Sequence, residues 1–577
     1  MCPLIKQKFL FLLLFLLIAS FSFTACSDTE SIIVPPEVPP AEMAVDFPAL
    51  HLTSQYDPFT VERTFWHDGT LSVTSTVEEY AFTDAAVRIR GRGNSTWVQG
   101  ADKRPLRLRF AEPIHLFDSD YAHRDWILLA NHFDTSLMRN HMALHLASLL
   151  DGLDFTPSSR FVHLYVNEMY MGVYELTDER DVASGRAPLI FDADPTISEY
   201  FFELDGHLLG WQAADNVEGE DFFTIDDMAF DIRYPSSRDW SGHLEYLHDF
   251  VQNVHDTIYS RDFDAIAALI DLPSFIDFYL VQELTKNADV SAFSVFMTLR
   301  GQGEQRRIYF GPVWDFDRSS GNVLISPEPD YIFAAAQNTW FRELLEVPEI
   351  FTLVAARFNE IRDVQIADTI AHVRALAVQY EHSFDRNFDR HPNLLGQPHR
   401  PTPEKLWRID SFMGHVDYLT AWLEARILWL DDFFNERPTT DTLWFDEPFD
   451  LFWALVLYHT YTRPIHIHID DVPQQFSMAP IFIDSLIFLS AEEIGAAFDL
   501  TVSYDTQAQL LTIEGDNLLI THTATSNVFI VNDEEIASTP SSVIIREHVY
   551  IPLRILVDAL GYSPTWEHGT RTTTINR

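Results

Sequence analysis

The hydrophobic pattern changes period part-way along this chain, and that change limits the fold more than any other feature. Between about residues 59 and 110, apolar and polar residues alternate in the runs 71–77, 86–90 and 103–110, as they do in half-buried strands. In the last run Leu106, Leu108 and Phe110 share one face, and Lys103, Arg107 and Arg109 the other. A helix is expected over 135–150, and 161–174 reads as a hairpin turning at Asn167-Glu168. Beyond that, long helical periodicity covers 241–270, 272–287, 338–384 and 404–435, with Trp340, Phe341, Leu344 and Leu345 as helical core. A strand-rich part followed by a helical part predicts an α+β fold.

The C-terminal part obeys a different rule. Residues 487–513 and 549–575 align without a gap at an offset of 62. Ile494 falls on Leu556, Tyr504-Asp505 on Trp566-Glu567, and Thr512-Ile513 on Thr574-Ile575. Each unit reads strand, short helix, strand, so a small repeat-built α+β module is expected over 481–577, joined by a connecting segment at 438–480. It resembles the copper amine oxidase N-terminal-like (stalk) domain, a resemblance that implies attachment or spacing on a bacterial surface and no copper chemistry. In the connecting segment, His466, His468 and Asp470 share a strand face at a spacing compatible with metal, but without further ligands nearby they read as a plain solvent-facing strand.

At the other end, Lys6 and Lys8 precede the apolar run Phe9–Phe23, which suits a signal peptide and is short for a membrane span. The run ends in Thr24-Ala25-Cys26, resembling a lipobox, so residues 1–25 read as a lipoprotein signal peptide with Cys26 as the lipidated residue. An ordinary signal peptide and an uncleaved anchor are the alternatives. Residues 26–44 carry Pro35, Pro36, Pro39 and Pro40 and form a semi-rigid tether. The expected location is the outer face of the cell membrane, held by lipid. Cys2 and Cys26 are the only cysteines, so a chain processed at Cys26 has no other thiol, hence no internal disulfide and no cysteine metal site.

The 577 residues carry a formal charge of −47, which excludes nucleic acid as the main partner because phosphate backbones need basic surfaces. Against that background the stretch 88–97 stands out. Arg88, Arg90 and Arg92 alternate into the turn Gly93-Asn94-Ser95, where backbone N–H groups and cationic side chains can converge on a phosphate. By itself, Gly-x-Gly marks a hairpin turn as readily. Lys103 follows, able to neutralise phosphate charge or to sit exposed on its strand.

Two acidic motifs come later. Asn287 and Asp289 stand where an apolar helix gives way to a loop. There Asp289 can accept a hydroxyl proton and Asn287 can ligate a cation, or both can serve as capping residues. Asp315 and Asp317 flank Phe316 after the apolar run 308–310, a donor pair for a hard cation. The order of glycine turn, lysine, Asn-x-Asp and Asp-Phe-Asp parallels protein-kinase logic, although neither His-Arg-Asp nor Val-Ala-Ile-Lys occurs.

These motifs, with Trp126–Asn131, Asp134–Asn140 and Val166–Glu175, resemble the spore-coat protein H (CotH) kinase family over roughly residues 60–435. The resemblance implies an atypical two-lobed kinase-like domain, placed at 45–437, that uses ATP with Mg2+ or Mn2+ to phosphorylate serine or threonine of secreted or surface proteins. On it, Asp289 is similar to the catalytic aspartate, and Asp315 to the metal ligand, with Asp317 a second and Asn287 a third. Arg90, Arg92, Gly93, Asn94 and Ser95 match the phosphate-facing turn, and Lys103 the nucleotide-binding lysine. Asp134, Arg139 and Asn140 match a helix motif placed near the nucleotide, and Glu175 and Glu203 are the candidate acids for the lysine. The competing expectation is a non-catalytic surface-binding module of the same fold, since ATP is scarce outside cells. A hydrolase has only the paired acids in its favour.

Overall fold

The computed structural model describes residues 46–577, except 56–62, 64, 94–95, 97–102, 181–187, 210–221, 227, 236–241, 324–326, 397–401, 437–464, and, in the C-terminal module, 471, 475, 477–479, 484–485, 507, 517, 524–525, 527, 539–541, 546–547, 568–571 and 577. The signal peptide, Cys26, the tether, Asn94 and Ser95 therefore lie outside the described residues. No helix among those searched is long and apolar enough to cross a membrane.

The alternating runs form a barrel. Strands β1 (Ala49–Ser54), β2 (His67–Thr74), β3 (Phe82–Gly91), β4 (Leu106–Ile114), β5 (His123–Leu129), β6 (Arg160–Val166) and β7 (Met169–Asp178) close in the order β1-β2-β3-β4-β5-β7-β6. All neighbours are antiparallel except β1 and β6, whose parallel pairing closes the ring. Inward residues Leu71, Val87, Ile89, Leu106, Leu108, Trp126, Leu128 and Leu164 fill the interior, as the period-two pattern dictates. The β6–β7 turn falls at Asn167 (φ 49°) and Glu168 (φ 69°), as expected for a two-residue hairpin loop.

Strand β5 is buried on both faces. Trp126 and Leu128 point into the barrel, while Ile127 and Leu129 pack on Phe201, Phe296 and Trp314. Phe201 and Phe296 belong to a second sheet, ordered β12-β11-β8-β10-β9, and Trp314 to the loop that follows it. The sheet is built from β8 (Tyr200–Leu204), β9 (Phe222–Ile225), β10 (Met228–Tyr234), β11 (Val295–Arg300) and β12 (Arg307–Phe310). The periodicity of the sequence did not predict this sheet, because its strands are short and apolar on both sides, a pattern shared with buried helix.

Helices cover the sheet and make the largest core. They include α1 (Arg139–Ser148), α2 (His243–Ser260), α3 (Leu272–Thr285), α4 (Pro348–Ile361), α5 (Ala367–Gln379) and α6 (Phe412–Glu436). Every residue of α3 from Ser274 to Thr285 is buried. Among its polar members Glu283 is the most fully paired. That carboxylate accepts from Arg426 Nη2 (2.6 Å), Tyr279 Oη (2.9 Å) and the Phe333 amide (2.6 Å). Arg426 also donates to the carbonyls of Pro329 and Tyr331, tying α6 to the segment 329–333.

The C-terminal module carries the duplication into its core. Leu489, Ile494 and Ile513 of the first unit pack in one cluster with Ile551, Leu556 and Ile575, their counterparts in the second. The strands Leu486–Ser490 and His548–Pro552 pair so that Leu489 faces Ile551, its own equivalent, which places a local twofold between the units. The strand His466–Ile469, within the expected connecting segment, pairs in parallel with Thr572–Ile575 and so is part of this module. Ile467 and Ile469 are buried there while His466 is exposed, the pattern of a strand with one solvent face.

Removing one partner of a fully buried ion pair strands the other charge in an apolar interior. Arg426→Met is therefore expected to destabilise the chain by about 3–5 kcal/mol in denaturant titrations, and adding Glu283→Gln should recover part of that loss. Equal stability of wild type and Arg426→Met would show that the pair does not hold α3 and α6 together.

Candidate functional site

Two loops converge beside the second sheet. The first follows α3. Lys286, in the left-handed conformation (φ 48°), ends the helix, with its ammonium bound by the carbonyls of Glu328 and Asp330 at 2.8 and 2.7 Å. Asn287 then caps a short 3-10 turn, Ala288–Ser291, its side chain accepting from the Asp289 amide at 3.3 Å. Phe293 N–H donates to the Asp289 carbonyl at 2.7 Å, which fixes the turn that presents the Asp289 carboxylate.

The second loop follows β12. Asp315 has φ 66°, and Phe316 is completely buried, so the chain plants the aromatic in the core and leaves a carboxylate on either side of it. The Phe316 amide donates to Asn140 Oδ1 at 2.6 Å. Asn140 Nδ2 donates in turn to Asn131 Oδ1 (3.0 Å), and Asn131 Nδ2 to Glu175 Oε2 (2.8 Å). Arg139 lies wholly inside, with Nη1 2.5 Å from Asp134 Oδ1, Nε donating to the Ser319 carbonyl at 3.0 Å and Nη2 to that of Ser320 at 3.2 Å. Backbone bonds from Ser320 to Thr285 (2.6 Å) and from Ala288 to Arg318 (3.1 Å) tie the two loops to each other.

Together with the end of β3, these loops line a cleft of about 170 Å3. Its walls carry Asp289, Asp315, Asp317, Glu203 and Asp205 against Arg92, Arg180, Arg233 and Arg318, with Gly93, Asn131, His132, Asn140 and His207. A larger hollow of about 780 Å3, lined by residues such as Tyr246, Gln302 and Arg306, shares none of these groups. The smaller cleft is the chemically equipped one.

Of the residues singled out in the sequence, Asp289, Asp315, Asp317, Arg92 and Gly93 meet in this cleft. Gly93 has φ +88°, which an L side chain would adopt only with strain, and its carbonyl accepts from Arg63 Nη1 at 2.7 Å. Arg90 is not in the lining. It stays on the outer face of β3, 4.7 Å from the ring of Trp66, which Arg88 and Arg109 also approach. Asn287 acts as a cap and is likewise absent from the lining.

Lys103 departs most from expectation. It does not share a strand face with Arg107 and Arg109, because Pro105 lacks an N–H and β4 pairing starts at Leu106. Its side chain turns inward instead, fully buried, donating to the Val173 carbonyl and lying 4.8 Å from the Tyr174 ring. Burial without a carboxylate lowers its pKa to about 7. Neither candidate acid reaches it. Glu175 accepts from Asn131 and Ser159. Glu203 binds Arg233 at 2.6 Å, with Arg180 4.0 Å away.

The electrostatics of the cleft are those of crowded acids partly offset by arginine. Burial, and then the charge of Asp315, push Asp289 up to about 7. Burial and the charges of Asp315 and Asp289 push Asp317 well above the carboxylate range. Burial opposes ionisation of Glu179 as well, yet Arg180, Arg107 and Arg92 hold it down at about 2. Burial favours neutral His207, but its bond to Asp205 (2.6 Å) wins and raises its pKa.

Sequence reasoning passed over Asp205, His207, Arg180, Arg233 and Arg318. Arg318 directly follows the Asp-Phe-Asp motif, and Asp205-Gly-His207 directly follows an apolar run, so local signals existed for both. Arg180 and Arg233 gain meaning only through the sheet that brings them together.

A carboxyl pKa raised in the folded state gives stability that is present below its ordinary value of 3.8 and lost as pH rises through about 7. In metal-free buffer Asp289→Asn is therefore expected to be more stable than wild type at pH 8, by about 1–2 kcal/mol, with no gain near pH 4. A gain independent of pH in thermal unfolding would contradict the assignment.

Compared with the curated proteins, the chain has no match. Residues 468–575 match the copper amine oxidase N-terminal domain, in accord with the duplicated module. Residues 87–430, more than half of the chain, match the family described as CotH kinase protein, and this span contains every residue of the cleft. The chain belongs to the CotH kinase family.

Proposed function

We propose that the chain is an atypical protein kinase that transfers the γ-phosphoryl group of ATP to serine or threonine hydroxyls of secreted or surface proteins. One observation carries the reading: the Asn-x-Asp loop, the Asp-Phe-Asp loop and the Arg92-Gly93 turn, far apart in sequence, line one cleft.

The donor set fits a hard divalent cation. Burial and the charge of neighbouring carboxylates raise the pKa of Asp289 and Asp317, a strain that a bound cation relieves. Among the described residues no three His, Cys, Asp or Glu side chains are placed to hold a metal ion by themselves. Mg2+ asks for less, taking one or two carboxylates and completing its shell with water and substrate phosphates. Asp315 and Asp317 would hold Mg2+ or Mn2+, which supplies charge neutralisation at the phosphates.

The chain's own groups do the rest. Arg92, with the turn at Gly93, and Arg180 and Arg318 line the same cleft and offset phosphate charge. Asp289 orients the acceptor hydroxyl; as the acceptor oxygen bonds to phosphorus and the bond to the ADP oxygen breaks, the hydroxyl proton passes to Asp289. Asn140 and Asn131 act through the Phe316 amide, holding Asp315 and Asp317 in place. The extracytoplasmic setting rests on the N-terminal apolar run and Cys26.

The full chain with labelled ATP, Mg2+ or Mn2+, and a serine-rich or acidic acceptor is expected to label the acceptor or itself. Asp289→Asn should reduce the rate by about 10²–10⁴-fold, and Asp315→Asn should abolish a metal-dependent thermal shift with ATP. If ATP and metal give no shift in wild type, the kinase reading fails and the non-catalytic surface module takes its place.

A further inference from the structure

The outer face of β3 and β4 carries positive charge that the fold only partly neutralises. Arg88 lies directly opposite Arg109 in the strand register, and Arg90 opposite Arg107, a placement of like charges that weakens a sheet. Two buried carboxylates are set against this block. Asp125 accepts from Arg107 Nε at 3.1 Å and from Arg109 Nε at 2.7 Å. Glu179 lies 3.2 Å from Arg107 Nη1 and 2.8 Å from Arg180 Nη1. Each acid is thus shared between arginines of neighbouring elements, and β3 gains little from either. Arg88 has Asp68 at 3.9 Å, an exposed pair worth little. The Arg90 Nε is buried with no hydrogen-bond partner among the described residues. Burial, and then the charges of Arg107 and Arg109, lower the pKa of Arg90.

Three of these arginines converge on one indole. Arg109, Arg90 and Arg88 lie 4.5, 4.7 and 5.4 Å from the Trp66 ring, and Phe65 beside it is 63% exposed. Guanidiniums held against an indole lose less freedom on forking a carboxylate than a free ammonium would. The block also leads into the cleft. Strand β3 ends at Gly91 and runs straight into the Arg92-Gly93 turn, and Arg63, in the segment that carries Trp66, donates to the Gly93 carbonyl. At the rise of a strand, Arg90 and Arg88 stand roughly 7 and 13 Å from Arg92. The chain as a whole carries −47, so most of its surface repels an acidic partner. Screening limits that repulsion to about 8 Å at physiological salt, which lets a local excess of arginine decide where an acidic segment settles.

We propose that this face docks an acidic stretch of the acceptor protein, with aspartate or glutamate about two to four positions from the hydroxyl presented to Asp289. The identity of the occupant as an acceptor rests on the kinase reading above; its acidity rests on charge complementarity. An extended segment laid along β3, with its hydroxyl in the cleft, brings those carboxylates onto Arg90 and Arg88. There they relieve the like-charge pairing and give the Arg90 Nε an acceptor. An anionic membrane surface would also meet the charge of the block, but continuity with the cleft favours a chain that enters it.

The test follows the fluorescence anisotropy of a labelled serine peptide flanked by aspartate and glutamate as it binds the full chain without nucleotide. The same peptide with asparagine and glutamine in their place is the comparison. The acidic peptide should bind about tenfold tighter. Arg88→Glu and Arg90→Gln should each erase most of that preference, while Arg88→Glu keeps the thermal shift with ATP and Mg2+. A thermal shift with no preference for the acidic peptide overturns the docking surface and leaves the kinase reading standing. An arginine-dependent preference without the shift upholds the surface and removes the kinase. The docking surface also falls if Arg88→Glu binds the acidic peptide as wild type does, or if it loses binding to phosphatidylglycerol vesicles but not to the peptide.

Discussion

The chemistry of this chain depends on one buried ion pair. Arg139 and Asp134 are both shut off from solvent, an arrangement whose desolvation cost is recovered only when the remaining donors and lone pairs are also bound. They are. Asp134 accepts from the Ser136 amide and hydroxyl and from the Arg139 amide, and Arg139 spends its other N–H groups on the carbonyls of Ser319 and Ser320. The helix start at α1 and the loop carrying Asp315 and Asp317 thus become one rigid piece. Asn140, one residue further along α1, adds the bond to the Phe316 amide.

That frame explains how several acids share a small volume. Carboxylates left free would swing apart to escape repulsion and regain water. Here the backbone of each loop is bound to the other, so relief comes through protonation, arginine or a cation. In the cleft Arg233 pairs with Glu203, and Arg318 offsets the charge of Asp289 and Asp317, yet both of those carboxyls stay raised.

Much of the fold was legible in the residues because it follows from periodicity. The barrel strands, the Asn167-Glu168 turn, the helical core around Trp340 and Phe341, and the twofold C-terminal module all express patterns of short range. The second sheet was not legible, since strands such as Tyr200–Leu204 are buried on both faces and lose the alternation that marks a strand. Lys103 misled for a related reason: alternation counts only within a paired strand, and Pro105 separates Lys103 from the pairing of β4.

By itself, the sequence determined the residue types and their order: an Arg-Gly turn, an Asn-x-Asp, an Asp-Phe-Asp, and a duplicated tail. Those are local choices, each made by backbone geometry and side-chain chemistry within a few residues. Only the tertiary structure decided which of them meet. Asp289, Asp315, Asp317, Arg92 and Gly93 converge, while Arg90, Asn287 and Lys103 turn to other partners. It also supplied Arg180, Arg233, Asp205 and His207 from strand ends and loops that carry no common motif. The reason is physical: burial and electrostatic coupling act over a few ångströms of space, and sequence separation says nothing about that distance until the core has formed.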